Sequence, residues 1–348
     1  MGSIYETVLR PVFFRQEAEE AHELALQWLD RLTNLPPLVK LMVRTATPRH
    51  ARPVRAFGLT FPNAIGLAAG FDKEAAVWPA LMALGFGHVE VGTVTRFAQN
   101  GNEKPRVFRY PGQEALINRM GFPNDGADSV ASRLQFWRER YPNLPPVGVN
   151  IGKSRNASLD EAVDDYLSSF RLLAPLADYV AINVSSPNTP NLRSLQAKEA
   201  LNELLAALQN ENAGDSRKPL LLKIAPDLSF RQIDEALEVC LHHEIDGIIA
   251  TNTTLQRPVK LDGGDETGGL SGRPLHARAV EIVRYIHGAT KGQLPIVGVG
   301  GVSGEVSAGR MADVGATLVQ LYTGLVYKGP WIARRLANTF SWHQRPWA

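Results

Sequence analysis

The sequence predicts an α/β protein whose core is a closed (β/α)8 TIM barrel. Eight short apolar, β-branched segments recur along the chain, as expected of strands buried in a parallel sheet. Helical patterns separate them, and eight strand–helix units in roughly 280 residues suit this barrel. The predicted strands lie within 63–70, 88–95, 146–153, 179–188, 219–227, 247–254, 295–301 and 318–324.

Nearly every predicted strand runs out into amide, hydroxyl, lysine or glycine residues. In a (β/α)8 barrel the carboxyl ends of all strands open onto one face, where the active site lies. Repeated polar residues at those ends therefore indicate one shared pocket, and the pattern is typical of an enzyme.

Helical patterns follow the strands and are expected to cover the barrel. They span 74–85, 129–141, 160–176, 197–211, 231–244, 274–288, 303–314 and 329–340. We expect residues 56–348 to form the barrel domain.

Residues 1–55 differ from the rest and are expected to form a small helical extension. An apolar stripe at three- and four-residue steps predicts a helix over 16–32, and a second short helix is predicted over 38–44. Between Arg31 and Arg55 there are six Lys or Arg residues and no Asp or Glu. Two amphipathic helices with basic flanks can rest on an anionic bilayer. The alternative is that they only pack against the barrel.

Two segments depart from the repeating pattern. Residues 56–66 are interpreted as a hairpin that closes the lower end of the barrel before the first strand. The connection from Thr95 to Asn124 is long and rich in ordered residue types. Because long loops at the catalytic face usually form lids or binding walls, we expect that role here.

Composition excludes several classes of protein. The net charge of +2 and the lack of a basic stripe with interleaved aromatics argue against nucleic acid. Cys240 is the only cysteine, interpreted as a small buried helix residue, so neither a disulfide framework nor a metal site is expected. No secretion signal or transmembrane helix is predicted. We expect a protein that is soluble or rests on a membrane surface.

Glycines follow the last two predicted strands. Gly300, Gly301, Gly304 and Gly324 let the backbone approach a ligand closely. Barrels usually hold a phosphate at this place, against a helix N-terminus. The glycines could also simply form tight turns. No G-x-G-x-x-G is completed, so a dinucleotide-binding fold is not indicated.

Two lysines lie at predicted strand ends in apolar surroundings. They are Lys73 and Lys223. Burying an ammonium group is costly unless an anion or strong acceptors meet it. We therefore expect both to face the pocket and to hold at least one bound anion.

Five asparagines fall at predicted strand ends or on the long connection. Neutral amides offer donors and acceptors together, which suits a planar heterocycle with carbonyl and N–H edges. The five are Asn118, Asn150, Asn183, Asn188 and Asn252.

The segment INVSSPNTPNLR (182–193) contains the candidate base Ser186. Its prolines, Pro187 and Pro190, stiffen the loop and hold it extended. Acyl transfer is not indicated, because no G-x-S-x-G elbow or Ser-His-Asp set is visible. A serine could still accept a proton if charge elsewhere activates the acid of the substrate.

These motifs together resemble the class 2, quinone-dependent dihydroorotate dehydrogenases of bacterial type. The resemblance covers residues 16–330 and includes GLAAGFDK, EVGTVT, GNEKPRVFR, INRMGF, VNIGK, INVSSPNTPNLR, LKIAPD, IATNTT, TGGLSGRPL, VGVGG and LVQLYTG. The small departures are Phe71, Pro123 and Thr323, where Leu, Asn and Ser are common. Pro123 could alter the motion of the lid.

The resemblance implies an FMN prosthetic group across the strand ends, with its phosphate in the last loops. The implied contacts are Ala69, Gly70, Phe71, Asp72, Lys73, Thr93, Asn150, Asn183, Lys223, Thr251, Gly272, Gly301, Tyr322 and Thr323.

The resemblance also implies that dihydroorotate stacks on the flavin and is oxidised to orotate in de novo pyrimidine (UMP) biosynthesis. The implied substrate contacts are Lys73, Asn118, Arg119, Met120, Gly121, Phe122, Asn183, Asn188, Asn252 and Thr253. Ser186 would remove the proton from carbon 5, where class 1 enzymes have a cysteine, while carbon 6 gives a hydride to the flavin. We further expect Thr189 and Phe122 to frame a water path for the proton.

A membrane quinone is the electron acceptor that the resemblance implies, and this favours the bilayer interpretation of residues 1–55. A lipid-soluble oxidant needs an apolar entrance, which two helices resting on the bilayer would supply. We expect a peripheral, monomeric protein on the cytoplasmic side of the cell membrane.

Three other functions stay open on the sequence alone. One is a Schiff-base aldolase with Lys223 as nucleophile, and another is a degenerate flavin barrel acting as a membrane-bound scaffold. The third is a class 1 enzyme that uses fumarate or NAD, against which residues 1–55 and Ser186 argue.

Overall fold

The computed structural model describes residues 4–46, 52–264 and 266–340. In chain order, the strands of these residues are β1 (Val54–Ala56), β2 (Leu59–Phe61), β3 (Ile65–Leu67), β4 (His88–Val94), β5 (Val107–Tyr110), β6 (Ala115–Asn118), β7 (Val147–Ile151), β8 (Tyr179–Asn183), β9 (Leu220–Ile224), β10 (Gly247–Ala250), β11 (Gly269–Gly272), β12 (Ile296–Val299) and β13 (Leu318–Leu321).

Eight of these strands form a closed parallel barrel, which confirms the predicted fold class. The hydrogen-bonded order is β10-β12-β13-β3-β4-β7-β8-β9, and β9 pairs with β10 to close the ring. All eight predicted strands are confirmed. Every residue of these strands is buried, since side chains fill the inside and helices cover the outside.

The α-helices of the described residues are α1 (Arg10–Phe13), α2 (Ala18–Thr33), α3 (Pro36–Ala46), α4 (Trp78–Ala83), α5 (Ala127–Arg140), α6 (Ala162–Leu173), α7 (Lys198–Glu211), α8 (Phe230–His242), α9 (His276–Ala289), α10 (Glu305–Asp313), α11 (Thr323–Lys328) and α12 (Ile332–Phe340). Most lie within a few residues of the predicted bounds. Cys240 is fully buried on α8, and burial raises the pKa of its thiol to about 12.

Two barrel helices differ from the prediction. Helix α4 begins only at Trp78, because the Asp72 carboxylate accepts the backbone N–H groups of Ala76 and Val77 at 2.9 and 2.8 Å and holds residues 72–77 in a turn. Helix α11 was not predicted, and Gly329, at φ +80°, separates it from α12.

Residues 4–46 form a helical layer beside the barrel. A π-helical turn, Tyr5–Leu9, continues into α1 and was not predicted, whereas α2 and α3 match the predicted helices. Residues 47–51 lie outside the described residues, and the domain boundary at 55/56 stays a prediction. Within the described residues, no helix is both long enough and apolar enough to cross a bilayer.

Strands β1 and β2 form the predicted hairpin at the lower end of the barrel. They pair antiparallel, and Phe61 packs edge-on against His88 with 5.2 Å between ring centroids. Phe57 lies beside Tyr179 at 6.4 Å. Both partners begin barrel strands, so the hairpin closes the end opposite the polar strand ends.

The long connection from Thr95 to Asn124 is folded, as its composition predicted. It supplies β5 and β6, and β11 joins them in a three-stranded antiparallel sheet. Tyr110, Ile117 and Leu270 are buried in a small core of this sheet. The connection therefore forms a built wall beside the strand ends.

Candidate active site

A cavity of about 600 Å³ lies at the carboxyl ends of the barrel strands and continues beneath the helical layer of residues 4–46. The predicted site residues that line it are Ala69, Gly70, Phe71, Lys73, Thr93, Asn118, Met120, Gly121, Phe122, Asn183, Ser186, Asn188, Lys223, Thr251, Asn252, Thr253, Gly272, Gly301, Tyr322 and Thr323. They come from seven of the eight barrel strands or the loops that follow them, and from the wall sheet.

Three predicted site residues do not line the cavity. The Asp72 carboxylate is bound to the backbone of residues 76 and 77. Arg119 pairs with Glu266 at 2.8 Å. Asn150 is fully buried one layer deeper, where it holds Thr93 and Asn183, which do line the cavity.

The two predicted lysines meet different surroundings. The Lys223 ammonium lies 3.2 Å from the carboxylate of Glu90, which is fully buried. Lys73 has no hydrogen-bond or ion-pair partner within the part of the chain that the structure describes. Burial lowers the pKa of Lys73 to about 8, although the charge of Glu19 raises it. A bound anion would therefore be stabilised more by Lys73 than by Lys223, whose charge Glu90 already balances.

A chain of amides connects the strand ends to the barrel interior. The Nδ2 atom of Asn183 donates to Oδ1 of Asn150 at 3.0 Å and to the Thr93 hydroxyl at 2.9 Å. The Nδ2 atom of Asn252 donates to the Ser185 hydroxyl at 3.0 Å. Each amide is thus held in one orientation, which preorganises donors and acceptors for a ligand.

A second amide pair joins the Ser186 loop to the wall sheet. The Nδ2 atom of Asn188 donates to Oδ1 of Asn118 at 3.0 Å, and Asn102 donates to the Asn188 carbonyl at 3.3 Å. Because Asn118 ends β6, the wall sheet fixes the position of the loop.

Ser186 is buried and lines the cavity. Its hydroxyl oxygen accepts the backbone N–H of Asn188 at 3.3 Å. Arg193 holds the loop from behind, because its guanidinium donates to the Ser185 and Thr253 carbonyls at 3.0 Å each and pairs with Asp227 at 2.7 Å. The serine is therefore held in place without a histidine or carboxylate partner in the described residues.

The glycine loops after the last strands approach one another closely. A Cβ on Gly301, at φ +65°, would lie 2.7 Å from the carbonyl oxygen of Gly272. A Cβ on Gly324 would lie 2.2 Å from the Val302 carbonyl. Thr323, whose hydroxyl is 2.9 Å from that of Ser271, begins α11 beside them. Only glycines leave room for this backbone cradle, which fits a phosphate.

The far part of the cavity is apolar and lies under the helical layer. Leu9, Phe13, Ala21, Ala25 and Leu29 line it. His22 also faces it, and burial, together with the charge of Lys73, lowers the pKa of His22 to about 3, so the ring is neutral at pH 7. This part suits a neutral apolar molecule.

A buried ion pair ties the helical layer to the wall. The Arg106 guanidinium lies 2.7 Å from the Glu19 carboxylate, and both residues are less than a tenth exposed. Arg106 also donates to the carbonyls of Asn100 and Asn102 at 2.6 and 2.8 Å. Helix α2 is therefore fixed to the loop that precedes β5.

Glu90 is the main site-adjacent residue that sequence reasoning missed. Its carboxylate accepts from Lys223, from Asn150 at 2.8 Å and from Gln320 at 2.9 Å. A signal was present, because Glu90 interrupts the apolar run HVEVGTVT as Lys223 interrupts PLLLKIAPD. Two opposite charges within buried barrel strands are expected to pair.

Comparison with known proteins is consistent across sequence and structure. The family model for dihydroorotate dehydrogenase matches residues 53–341. Dihydroorotate dehydrogenase (quinone) of Chloroflexus aurantiacus is 51% identical over 98% of this chain and 97% of its own length. The protein of the same name from Salinispora arenicola is 52% identical, over 96% and 98%. A crystal structure of DHODH from Eimeria tenella in complex with ferulenol superposes with a TM-score of 0.79 at 39% identity and covers 83% of each chain.

Proposed function

This chain belongs to the dihydroorotate dehydrogenase family, and we propose that it binds FMN across the strand ends and admits a quinone beneath the helical layer. It oxidises dihydroorotate to orotate in pyrimidine biosynthesis, with a quinone as electron acceptor. The observation that carries the proposal is the single cavity, which joins a polar end at the strand ends to an apolar end under residues 4–46.

The residues at the polar end fit FMN. The glycine cradle around Gly272, Gly301 and Gly324 suits the phosphate, and Lys223, held by Glu90, would supply one fixed cation to the flavin. When bound, FMN would accept a hydride from the substrate and later give two electrons to the quinone. Asn183 and Thr93 would hold the edge of the ring from the amide chain.

Dihydroorotate would lie against Lys73 and the asparagines. Negative charge grows on the pyrimidine carbonyl as the proton leaves carbon 5, and Lys73 has no protein partner in the described residues to compete for it. An ion pair at 4 Å is worth about 4 kcal/mol at an effective dielectric near 20. Lys73 and Asn118 would therefore stabilise the transition state as well as the bound substrate.

Ser186 would remove the proton from carbon 5. A placed base contributes about 10²–10⁴-fold to the rate. Serine is a weak base, so the proton must then move from Ser186 to another acceptor. The Thr189 hydroxyl is buried and has no hydrogen-bond partner among the described residues, which supports a water path beside it. Phe122 lines the cavity and lies beside Gly152.

The helical layer would rest on the membrane. Eight apolar side chains of the layer are between two-fifths and two-thirds exposed: Ile4, Val8, Leu9, Val12, Trp28, Leu35, Leu38 and Leu41. Lys40 and Arg44 lie on α3 beside them, as basic flanks that attract anionic lipid. We propose a peripheral, monomeric enzyme on the cytoplasmic side.

The absorbance spectrum of the purified protein tests the flavin part of this proposal. We expect a yellow protein whose flavin band bleaches when dihydroorotate is added without oxygen, and returns when a quinone is added. A colourless protein that refuses added FMN would contradict it. A panel with quinone, fumarate and NAD should show turnover with quinone only, and turnover with fumarate or NAD would indicate a class 1 enzyme.

A further inference from the structure

Asn102 lies on the long connection beside the candidate active site, and the mechanism above gives it no role. It is partly buried and does not line the cavity. Its Nδ2 atom donates to the Arg119 carbonyl at 2.8 Å and to the Asn188 carbonyl at 3.3 Å. Its Oδ1 atom accepts from the Arg155 guanidinium at 2.8 Å. One amide therefore connects three loops, which follow β6, β8 and β7.

The three partners of the Asn102 side chain fix the direction of its amide. Carbonyl oxygens can only accept a hydrogen bond, and a guanidinium can only donate one. The Nδ2 atom must therefore face the two carbonyls, while Oδ1 faces Arg155. Aspartate has the same shape but would place an oxygen against both carbonyls, so the contacts require the amide.

The backbone of Asn102 is held as firmly as its side chain. Its N–H donates to the Met120 carbonyl at 2.9 Å, and its own carbonyl accepts from Arg106 at 2.8 Å. A Cβ on Gly121, at φ +71°, would lie 2.9 Å from the Asn102 side chain, so the two backbones approach closely. Asn102 is thus fixed beside residues 118–122, which contain predicted substrate contacts.

Asn102 reaches the candidate base through a single residue. The carbonyl of Asn188 accepts from Asn102, and the N–H of Asn188 donates to the Ser186 hydroxyl oxygen at 3.3 Å. On the other side of Ser186, the Arg193 guanidinium holds the Ser185 carbonyl at 3.0 Å. Ser186 therefore lies between two anchors, and a shift of the Asn188 backbone would move its hydroxyl.

The distance between Ser186 and the substrate decides the rate of the proposed proton transfer. A base must come within about 2.6–3.2 Å of the group that it deprotonates. A displacement of about 1 Å can cost about 10²-fold in rate. The substrate side keeps its own position, because Asn118 ends β6, which pairs with both β5 and β11. What Asn102 fixes is the Ser186 loop relative to that sheet.

We propose that Asn102 is a positioning residue that sets the distance between Ser186 and the bound substrate by holding the Asn188 carbonyl. The inference rests on the proposed function, because it needs Ser186 to be the base. It concerns only the transfer of the proton on carbon 5 to the serine oxygen, and Asn102 itself exchanges no proton or electron. Loss of its two donor contacts should slow flavin reduction and leave the binding of FMN and orotate nearly intact.

The first test is the limiting rate of flavin reduction in the FMN-loaded Asn102→Asp variant, measured by stopped-flow absorbance at saturating dihydroorotate. Aspartate keeps the contact with Arg155 but cannot donate to either carbonyl. We expect a rate about 10–100-fold below that of the parent. In a Ser186→Ala background the same change should have no further effect, since no base remains to be positioned. A parental rate in Asn102→Asp, or equal slowing in both backgrounds, would overturn the proposal.

Gln99→Glu is the matched control in the same connection. The Nε2 atom of Gln99 donates to the Gly121 carbonyl at 2.9 Å, and its Oε1 atom accepts the backbone N–H of Arg155 at 2.9 Å. This amide joins two of the same loops but has no hydrogen bond to the Ser186 loop within the described residues. Its replacement should leave the limiting rate close to that of the parent. Equal slowing in Gln99→Glu and Asn102→Asp would contradict the proposal.

Hydrogen–deuterium exchange gives a readout that does not depend on activity. In Asn102→Asp we expect faster exchange in peptides that cover residues 184–193, because the Asn188 carbonyl has lost an anchor. Gln99→Glu should leave the exchange of these peptides unchanged. Parental exchange in Asn102→Asp would refute the proposed role.

A further variant decides the case in which Asn102→Asp cannot be purified with FMN. Asn102→Ala removes the same two donor contacts without adding a charge, and it should show the same slowing and the same faster exchange. A parental rate in Asn102→Ala would overturn the proposal. Failure of the proposed function looks different, because the parent protein would then bind no FMN or would not be reduced by dihydroorotate, or Ser186→Ala would react at the parental rate.

Discussion

The barrel interior and the helical layer of residues 4–46 are built in opposite ways. In the interior, Glu90, Asn150 and Asn183 are almost completely buried, and each is held by several hydrogen bonds of fixed direction. In the layer, Trp28 is 61% exposed and Leu41 is 58% exposed. The difference fits the roles that we propose for the two regions. Charge transfer needs donors that do not move, whereas an apolar oxidant needs a surface that exchanges freely with lipid.

Replacing the candidate base Ser186 should have the largest effect on the rate of flavin reduction. This effect should be confined to the barrel interior. In Ser186→Ala we expect FMN to be retained and its reduction by dihydroorotate to slow by about 10²–10⁴-fold near neutral pH. Stopped-flow absorbance measures this rate. Ser194→Ala is the matched control, because the Ser194 side chain is exposed in the same loop. An unchanged rate in Ser186→Ala would refute the base assignment.

Breaking the buried Glu19–Arg106 ion pair should impair the helical layer while leaving the barrel interior functional. In Glu19→Gln the Arg106 guanidinium stays buried without its countercharge, which typically costs about 3–5 kcal/mol. We expect lower thermal stability and a large loss of quinone turnover, while dihydroorotate still reduces the flavin. Glu23→Gln is the control, since its pair with Lys104 at 3.1 Å is exposed and worth about 0–1 kcal/mol. Equal losses of stability and quinone turnover in Glu19→Gln and Glu23→Gln would contradict a specific role for the buried pair.

The same pair predicts a response to acid. Burial alone would raise the pKa of Glu19, but its hydrogen bond to Arg106 and the charges of Arg106 and Lys104 lower it below 4.5. The stabilisation is therefore present above about pH 4.5 and is lost as the pH falls through the lowered value. Quinone turnover should recover less well after acid exposure than flavin reduction does. Equal losses of quinone turnover and flavin reduction would show that acid unfolds the barrel before it releases the helical layer.

An exposed apolar residue of the layer should affect only the membrane step. Leu41→Glu removes about 1.5–3 kcal/mol of apolar burial in lipid, or roughly tenfold to a hundredfold in vesicle affinity. Co-sedimentation with anionic vesicles measures this, with flavin reduction unchanged. Leu241→Glu is the control, because Leu241 is 52% exposed on α8 of the barrel. Equal loss in both variants would mean that the layer is not the docking surface.

The smallest expected effect is the pH dependence of orotate binding. Lys73, with its pKa near 8, holds the anion only when protonated, so affinity should be constant below pH 8 and fall by up to tenfold per pH unit above it. Titration of the flavin spectrum with orotate measures the affinity. In Lys73→Met the affinity should be lower and the break near pH 8 absent. If the break near pH 8 persists in Lys73→Met, another titrating group causes it.

The barrel and many of the polar residues lining its cavity at the strand ends could be predicted from the sequence. Strands buried on both faces leave continuous apolar runs, and the carboxyl ends of parallel strands meet, so Asn183 and Lys223 could be placed together from strand order alone. The resemblance named twenty of the lining residues, but none of those that residues 4–46 contribute. It could not show that the Asp72 carboxylate turns away to hold the residues before α4.

Features that depend on distant pairing could not be predicted. The π-helical turn at Tyr5–Leu9 has no readable period, and contacts such as the Tyr5 hydroxyl with the Val326 carbonyl at 2.8 Å hold it. The wall sheet pairs Leu270 with Ile117, which are far apart in the chain. Helix α11 was not predicted because it lies in a segment whose glycines are typical of turns.

The burial of Cys240 makes the protein convenient for site-specific labelling. With a pKa of about 12 and no exposure, this thiol should ignore maleimide and nitroxide reagents under native conditions. A cysteine introduced at an outward position of α3 would then carry the probe alone. Fluorescence quenching or spin-label depth measurements from that probe could report how far the layer sinks into a bilayer, and whether reduction of the flavin changes that depth.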